Sequence, residues 1–68
     1  MEAAKWGKRI RSYRKLKGYT QVDFAKMLGI SVSVLGEIER GARFPNEKLI
    51  NKISIELKVP IQELVPRD

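Results

Sequence analysis

The chain contains no cysteine and no histidine. Their absence excludes disulfide frameworks, zinc fingers, thiol nucleophiles and imidazole general bases together, and leaves metal chemistry without its usual ligands. Long hydrophobic runs are missing as well. The longest apolar stretch falls far short of the roughly 20 residues that span a bilayer, and the opening "MEAAKWGKRIRSY" has no hydrophobic region of the secretory type. Neither a membrane nor an export route is indicated, so a cytoplasmic protein is expected. Glycine-rich phosphate loops are lacking, and no Ser or Thr has an evident base beside it. The expectation is therefore no enzyme, no cofactor and no small-molecule ligand. Internal repeats, low-complexity tracts and linkers are also absent. With 68 residues the sequence reads as one domain, 1–68, near the size at which a core offsets chain entropy without covalent help.

What the chain does have is positive charge, unevenly placed. Lys5, Lys8, Arg9, Arg11, Arg14, Lys15 and Lys17 face only Glu2 within residues 1–19, and the remainder is balanced, for a net charge of +6. Such a basic end suits a polyanion, either nucleic acid or an anionic membrane surface. The plain alternative is a solvated helix face kept for solubility.

Glycines and prolines cut the sequence into helix-sized pieces. Trp6, Ile10 and Tyr13 recur at helical spacing in a first helix that stops at Gly18. Thr20 caps a short second helix carrying Phe24, Ala25 and Leu28, with Asp23 in the place of a weak capping box. Ser31 caps a third, in which Leu35 and Ile38 point inward and which Gly41 ends. Asn46 caps a fourth with the stripe Leu49, Ile50, Ile53 and Leu57. After Pro60 a last turn carries Ile61, Leu64 and Val65, expected to complete the core rather than to form a two-fold contact. "ISVSVLG" alternates as a strand would, but "EIERG" continues the helical period, and the helical reading is preferred. Trp6 reads as core rather than as a base-stacking platform, and Tyr19 as packing against Phe24 or its neighbours.

The second and third helices carry the spacing of two helices joined by a tight turn. Counting Gln21 as the first of twenty residues, a small residue stands fifth, Ala25, and a glycine tolerant of positive φ stands ninth, Gly29. Apolar side chains fill the fourth, eighth, tenth, fifteenth and eighteenth places with Phe24, Leu28, Ile30, Leu35 and Ile38. On these residues "IRSYRKLKGYTQVDFAKMLGISVSVLGEIERGARFP" resembles the Xre/Cro-type, lambda-repressor-like helix-turn-helix family, and the likeness runs from residue 6 to about 65. It implies an all-α, compact five-helix DNA-binding domain, with its core over about 5–65 and the helix-turn-helix at 21–40. It also implies duplex DNA as the partner, commonly bound as a dimer on a palindrome with the third helix in the major groove. The chain then reads as a transcriptional regulator of bacterial or phage type, found at the nucleoid when bound. By the same resemblance Arg14 pairs with Glu39, and this pair is expected to be largely buried.

Phosphate contacts set affinity, and base edges set specificity. The start of the second helix presents free N–H groups to a phosphate, where Thr20 competes as a plain cap and the resemblance adds the Gln21 amide. Ser31, Arg40 and Arg43 complete the expected phosphate set. Arg11, Lys15 and Lys17 are expected to act mainly through their field. If Leu35 and Ile38 face the core, Ser33, Gly36, Glu37 and Arg40 lie opposite, with Val32 and Val34 flanking. The expected base readers are Val32, Ser33, Gly36 and Glu37. Family members often carry polar or basic residues at these places, and this sequence departs from that at three of the four. Val32 suits a thymine methyl, Ser33 several bases and Glu37 a cytosine amine, while no bidentate purine reader is present. Modest sequence specificity follows, leaning on apolar contacts and DNA shape. Beside phosphates Glu37 needs a partner, either a cytosine amine or a cation such as Arg40 or one on the first helix. The alternative is an interaction module, an antitoxin or adaptor, docking through Val32, Val34 and Gly36. A weak homodimer or a protein partner completes the expectations.

Overall fold

The computed structural model describes residues 2–66; Met1, Arg67 and Asp68, at the ends of the expected domain, lie outside the described residues. Five helices follow one another: α1 (Glu2–Leu16), α2 (Gln21–Leu28), α3 (Val32–Glu39), α4 (Glu47–Leu57) and α5 (Ile61–Leu64). Among the described residues there is no strand, and no helix is long and apolar enough to cross a membrane. The strand-like alternation of "ISVSVLG" yields to a helix because Ser31 Oγ accepts from the Val34 N–H at 3.1 Å and caps it. Leu35 and Ile38, one turn apart, are then fully buried.

Thr20 and Asn46 cap α2 and α4 in the same way, accepting from the backbone N–H groups of Asp23 and Leu49. Each such cap stabilises its helix by roughly 1 kcal/mol. Gly29 turns the chain between α2 and α3 with φ 72°, a left-handed conformation that a Cβ disfavours. Phe24, Leu28, Leu35, Ile38, Ile53, Leu57, Val59 and Leu64 form the core with Ile10 and Ala25. Tyr19 stacks on Phe24 with ring centroids 5.9 Å apart, and Trp6 lies 6.0 Å from Phe44, so both aromatics serve packing.

The inward stripe of α1 is Ala3, Gly7, Ile10 and Arg14, all buried, while Trp6 and Tyr13 flank it half-buried. Its small residues have a physical cause. A Cβ at Gly7 would stand 2.2 Å from the Ile38 carbonyl oxygen and 2.7 Å from that of Glu39, so α1 lies directly on the end of α3. The last turn departs from the expectation that Ile61, Leu64 and Val65 all fill the core. Only Leu64 is buried, and Ile61 and Val65 stay 37% and 42% exposed. A single turn at the edge of the bundle presents one side chain inward, and Pro60 adds no side-chain cap to extend it. This turn is tied to α1, with Arg9 Nε donating to the Glu63 carbonyl at 2.8 Å and the Tyr13 hydroxyl donating to Glu63 Oε1 at 3.1 Å.

Candidate nucleic-acid interface

The helix-turn-helix unit becomes a potential interface only if α3 is held in one rotation about its axis. Leu35 and Ile38 supply the apolar part of that constraint, each contributing about 1.5–3 kcal/mol by leaving water. A polar lock completes it. Arg14 Nε donates to Glu39 Oε2 at 2.6 Å, and Arg14 Nη2 donates to Glu39 Oε1 at 3.1 Å. The fork is therefore bidentate, the strongest arrangement for these two groups. Arg14 Nη1 reaches the Tyr19 carbonyl at 2.8 Å, and Gln21 Nε2 donates to Glu39 Oε1 at 3.0 Å. One network thus joins α1, the turn after it, the start of α2 and the end of α3. Its two charges, at 7% and 2% side-chain exposure, compensate each other out of water.

Held this way, α3 turns Val32, Ser33 and Glu37 outward, with Val32 43% exposed. Val34, expected on the flank, packs half-buried against the core. Gly36 requires a correction. It is buried rather than open to a groove, and a Cβ built on it would meet Arg40 Nη1 at 3.1 Å. An arginine one turn later lies over the position where a reader's side chain would begin. Glu37 also differs in its partner. Arg43, from the loop after α3, donates through Nε to Glu37 Oε1 at 2.8 Å, where Arg40 or a cation of α1 was expected. The loop folds back along the outward face, and helical periodicity says nothing of its path.

The groups named for phosphate sit around this face. Thr20 Oγ1 and Ser31 Oγ both accept cap hydrogen bonds, and each keeps its hydroxyl proton for a ligand. Gln21 Nε2 spends one N–H on Glu39 and retains a second. Arg11, Gln21, Glu39 and Arg40 line a cleft between α1 and the helix-turn-helix. Arg11, expected to act mainly through its field, shares this cleft with Arg40. Gly7 is the residue that sequence reasoning passed over: a glycine inside a helix, whose partner backbone lies more than thirty residues away, shows only as a weak helix former.

The helix-turn-helix family model matches residues 10–64. The chain is 59% identical over 66 residues to the uncharacterised HTH-type transcriptional regulator YazB of Bacillus subtilis, covering 97% of this chain and 96% of that protein. It is 37% identical over 60 residues to the HTH-type transcriptional regulator SinR of B. subtilis, and spans 54% of SinR's length. A crystal structure of SinR in complex with DNA superposes with a TM-score of 0.81 at 37% identity, covering 87% of this chain and 95% of that one. The restriction-modification controller protein C.AhdI from Aeromonas hydrophila superposes with a TM-score of 0.86 at 34% identity, covering 91% and 94%.

Proposed function

The chain belongs to the Xre/Cro-type helix-turn-helix family, and from that premise we propose that it is a transcriptional regulator that binds duplex DNA with α3 in the major groove. The observation that carries this reading is the division of α3. Leu35, Ile38 and Glu39 are immobilised inside, and the opposite side presents Val32, Ser33 and Glu37 beside two arginines. Solved relatives of the same fold, SinR among them, support it.

In this reading the N–H groups at the start of α2 take a phosphate, reinforced by Thr20 and the spare Gln21 proton, with Ser31 at the start of α3. Arg11, Arg40 and the lysines of α1 neutralise neighbouring phosphates. Val32 meets thymine methyls and Ser33 bonds to base edges. No step of this reading is catalytic, and its site is the chromosome or a phage genome in the cytoplasm. Ile61 on α5 and Val65 just after it, both left exposed, supply apolar surface for a weak contact between two protomers on a palindrome.

The adaptor alternative needs Val32, Val34 and Gly36 as one apolar surface. Val34 is half-buried and Gly36 is covered, so only Val32 remains of it. Fluorescence titration with random duplex DNA at two salt concentrations tests the proposal. Neutralising about four phosphates per protomer gives a slope of about −3.6 in log affinity against log salt, at roughly −0.9 per contact. Undetectable or salt-insensitive binding overturns it.

A further inference from the structure

Discrimination between base pairs in the major groove rests mainly on bidentate contacts, above all Arg to the O6 and N7 acceptors of guanine. Val32, Ser33 and Gly36 offer none. The fold, however, carries a guanidinium to this face from outside the helix. Arg43 lies against Glu37 through Nε alone, at 2.8 Å, and both side chains remain in contact with solvent. In a planar guanidinium whose Nε–H faces a carboxylate, one Nη proton lies parallel to it, while the outer protons of Nη1 and Nη2 form an end-on pair directed away along the long axis of the group. Among the described residues neither terminal nitrogen of Arg43 has a hydrogen-bond partner. The free end of the fork is the part that a guanine edge fits.

We propose that Arg43 is a guanine-reading residue of this interface and that Glu37 is the positioning residue that aims it. The proposal rests on the DNA-binding reading and narrows it to one contact. The carboxylate is what separates a base contact from a phosphate contact. An arginine that serves a phosphate acts through its net charge, which a carboxylate at 2.8 Å largely cancels, and the carboxylate itself repels the phosphate. A guanine edge carries only partial charges. It gains from a fork held in a fixed direction and loses little when the net charge falls. Glu37 thus changes from a liability beside a polyanion into a support for the reader.

Site selection from random duplex DNA, followed by affinities for the selected and a random duplex, tests the assignment on wild type, Arg43→Ala, Arg43→Lys and Glu37→Gln. Arg43 is exposed and Glu37 partly so, and circular dichroism checks that each variant is folded. The selected site should contain a guanine whose replacement weakens wild-type binding by about tenfold or more. Arg43→Ala and Arg43→Lys should bind the guanine and substituted sites alike. Glu37→Gln should bind random duplex more tightly, since a negative charge leaves the interface, while its selected-to-random ratio falls by roughly threefold. If Arg43→Ala instead weakens every duplex by one common factor and lowers the salt slope by about one unit, Arg43 is a phosphate contact and the proposal is wrong. An unchanged ratio in Glu37→Gln removes the positioning role. Wild-type protein that binds no duplex at all would overturn the DNA-binding reading along with this one, whereas the other two outcomes strike this proposal alone.

Discussion

Two arginine–glutamate pairs sit on opposite sides of the same helix, their glutamates two residues apart, and they do different work. Arg14–Glu39 and Arg43–Glu37 have similar closest approaches, 2.6 and 2.8 Å. Their surroundings differ: side-chain exposures are 7% and 2% in the first pair against 54% and 38% in the second. Taking ions out of water costs several kcal/mol each, so a buried pair gains little over well-packed apolar residues but penalises heavily the loss of one partner. An exposed pair is bought cheaply and gives little, typically 0.2–1 kcal/mol, because water and salt compete for both groups. The buried pair therefore sets the rotation of α3, and the exposed pair remains available to a ligand.

Breaking the inner pair should have the largest effect. Glu39→Ala leaves the Arg14 guanidinium and the Gln21 amide without their acceptor, and a loss of about 3–5 kcal/mol is expected. A domain of this size has only about that much stability in total, so chemical denaturation at 25 °C should find the variant largely unfolded. Next comes Gly7→Ala, which drives a methyl group into the Ile38 carbonyl at the end of the same helix. Overpacking of this kind costs about 1–3 kcal/mol, and with backbone rather than a movable side chain in the way the upper end is expected, read as a lower denaturation midpoint.

The outer face should respond in the opposite sense. Gly36→Ala meets only the end of the flexible Arg40 side chain, so it should raise stability by up to about 1 kcal/mol through helix propensity. Two glycines, one of α1 packed on the end of α3 and one within α3, would then give opposite signs, and a loss of stability in Gly36→Ala would show that the Arg40 guanidinium is more firmly seated than its surroundings suggest. Smallest of all is Glu37→Ala, expected to shift unfolding free energy by less than about 0.5 kcal/mol in ordinary salt. A larger shift would place the outer pair with the inner one and end the contrast.

Much of the architecture is legible in the sequence. The caps at Thr20, Ser31 and Asn46, the left-handed turn at Gly29 and the inward anchors Leu35 and Ile38 all rest on neighbours within a turn or two. The buried Arg14–Glu39 pair lay beyond such reasoning and came from family likeness alone. The outer surface was read less well. Helical period puts Gly36 on the outward face without showing the Arg40 side chain beside it, and it leaves the Arg43–Glu37 contact unseen, because the return path of residues 41–46 leaves no periodic trace. The small size of the bundle argues for Ile61 and Val65 in the core, yet a helix of one turn has a single inward position, taken by Leu64. Gly7 carried no signal except its low helix propensity, since its meaning lies in the carbonyl groups of Ile38 and Glu39.

The sequence by itself determined where the helices begin and end and which stripe of each turns inward, because capping and amphipathic period are short-range effects. Only the tertiary structure decided which carboxylate meets which guanidinium, how closely α1 lies on α3 and what covers the outward face. Those outcomes depend on the approach of groups far apart along the chain, and the water excluded or admitted at each meeting sets what the same ion pair is worth.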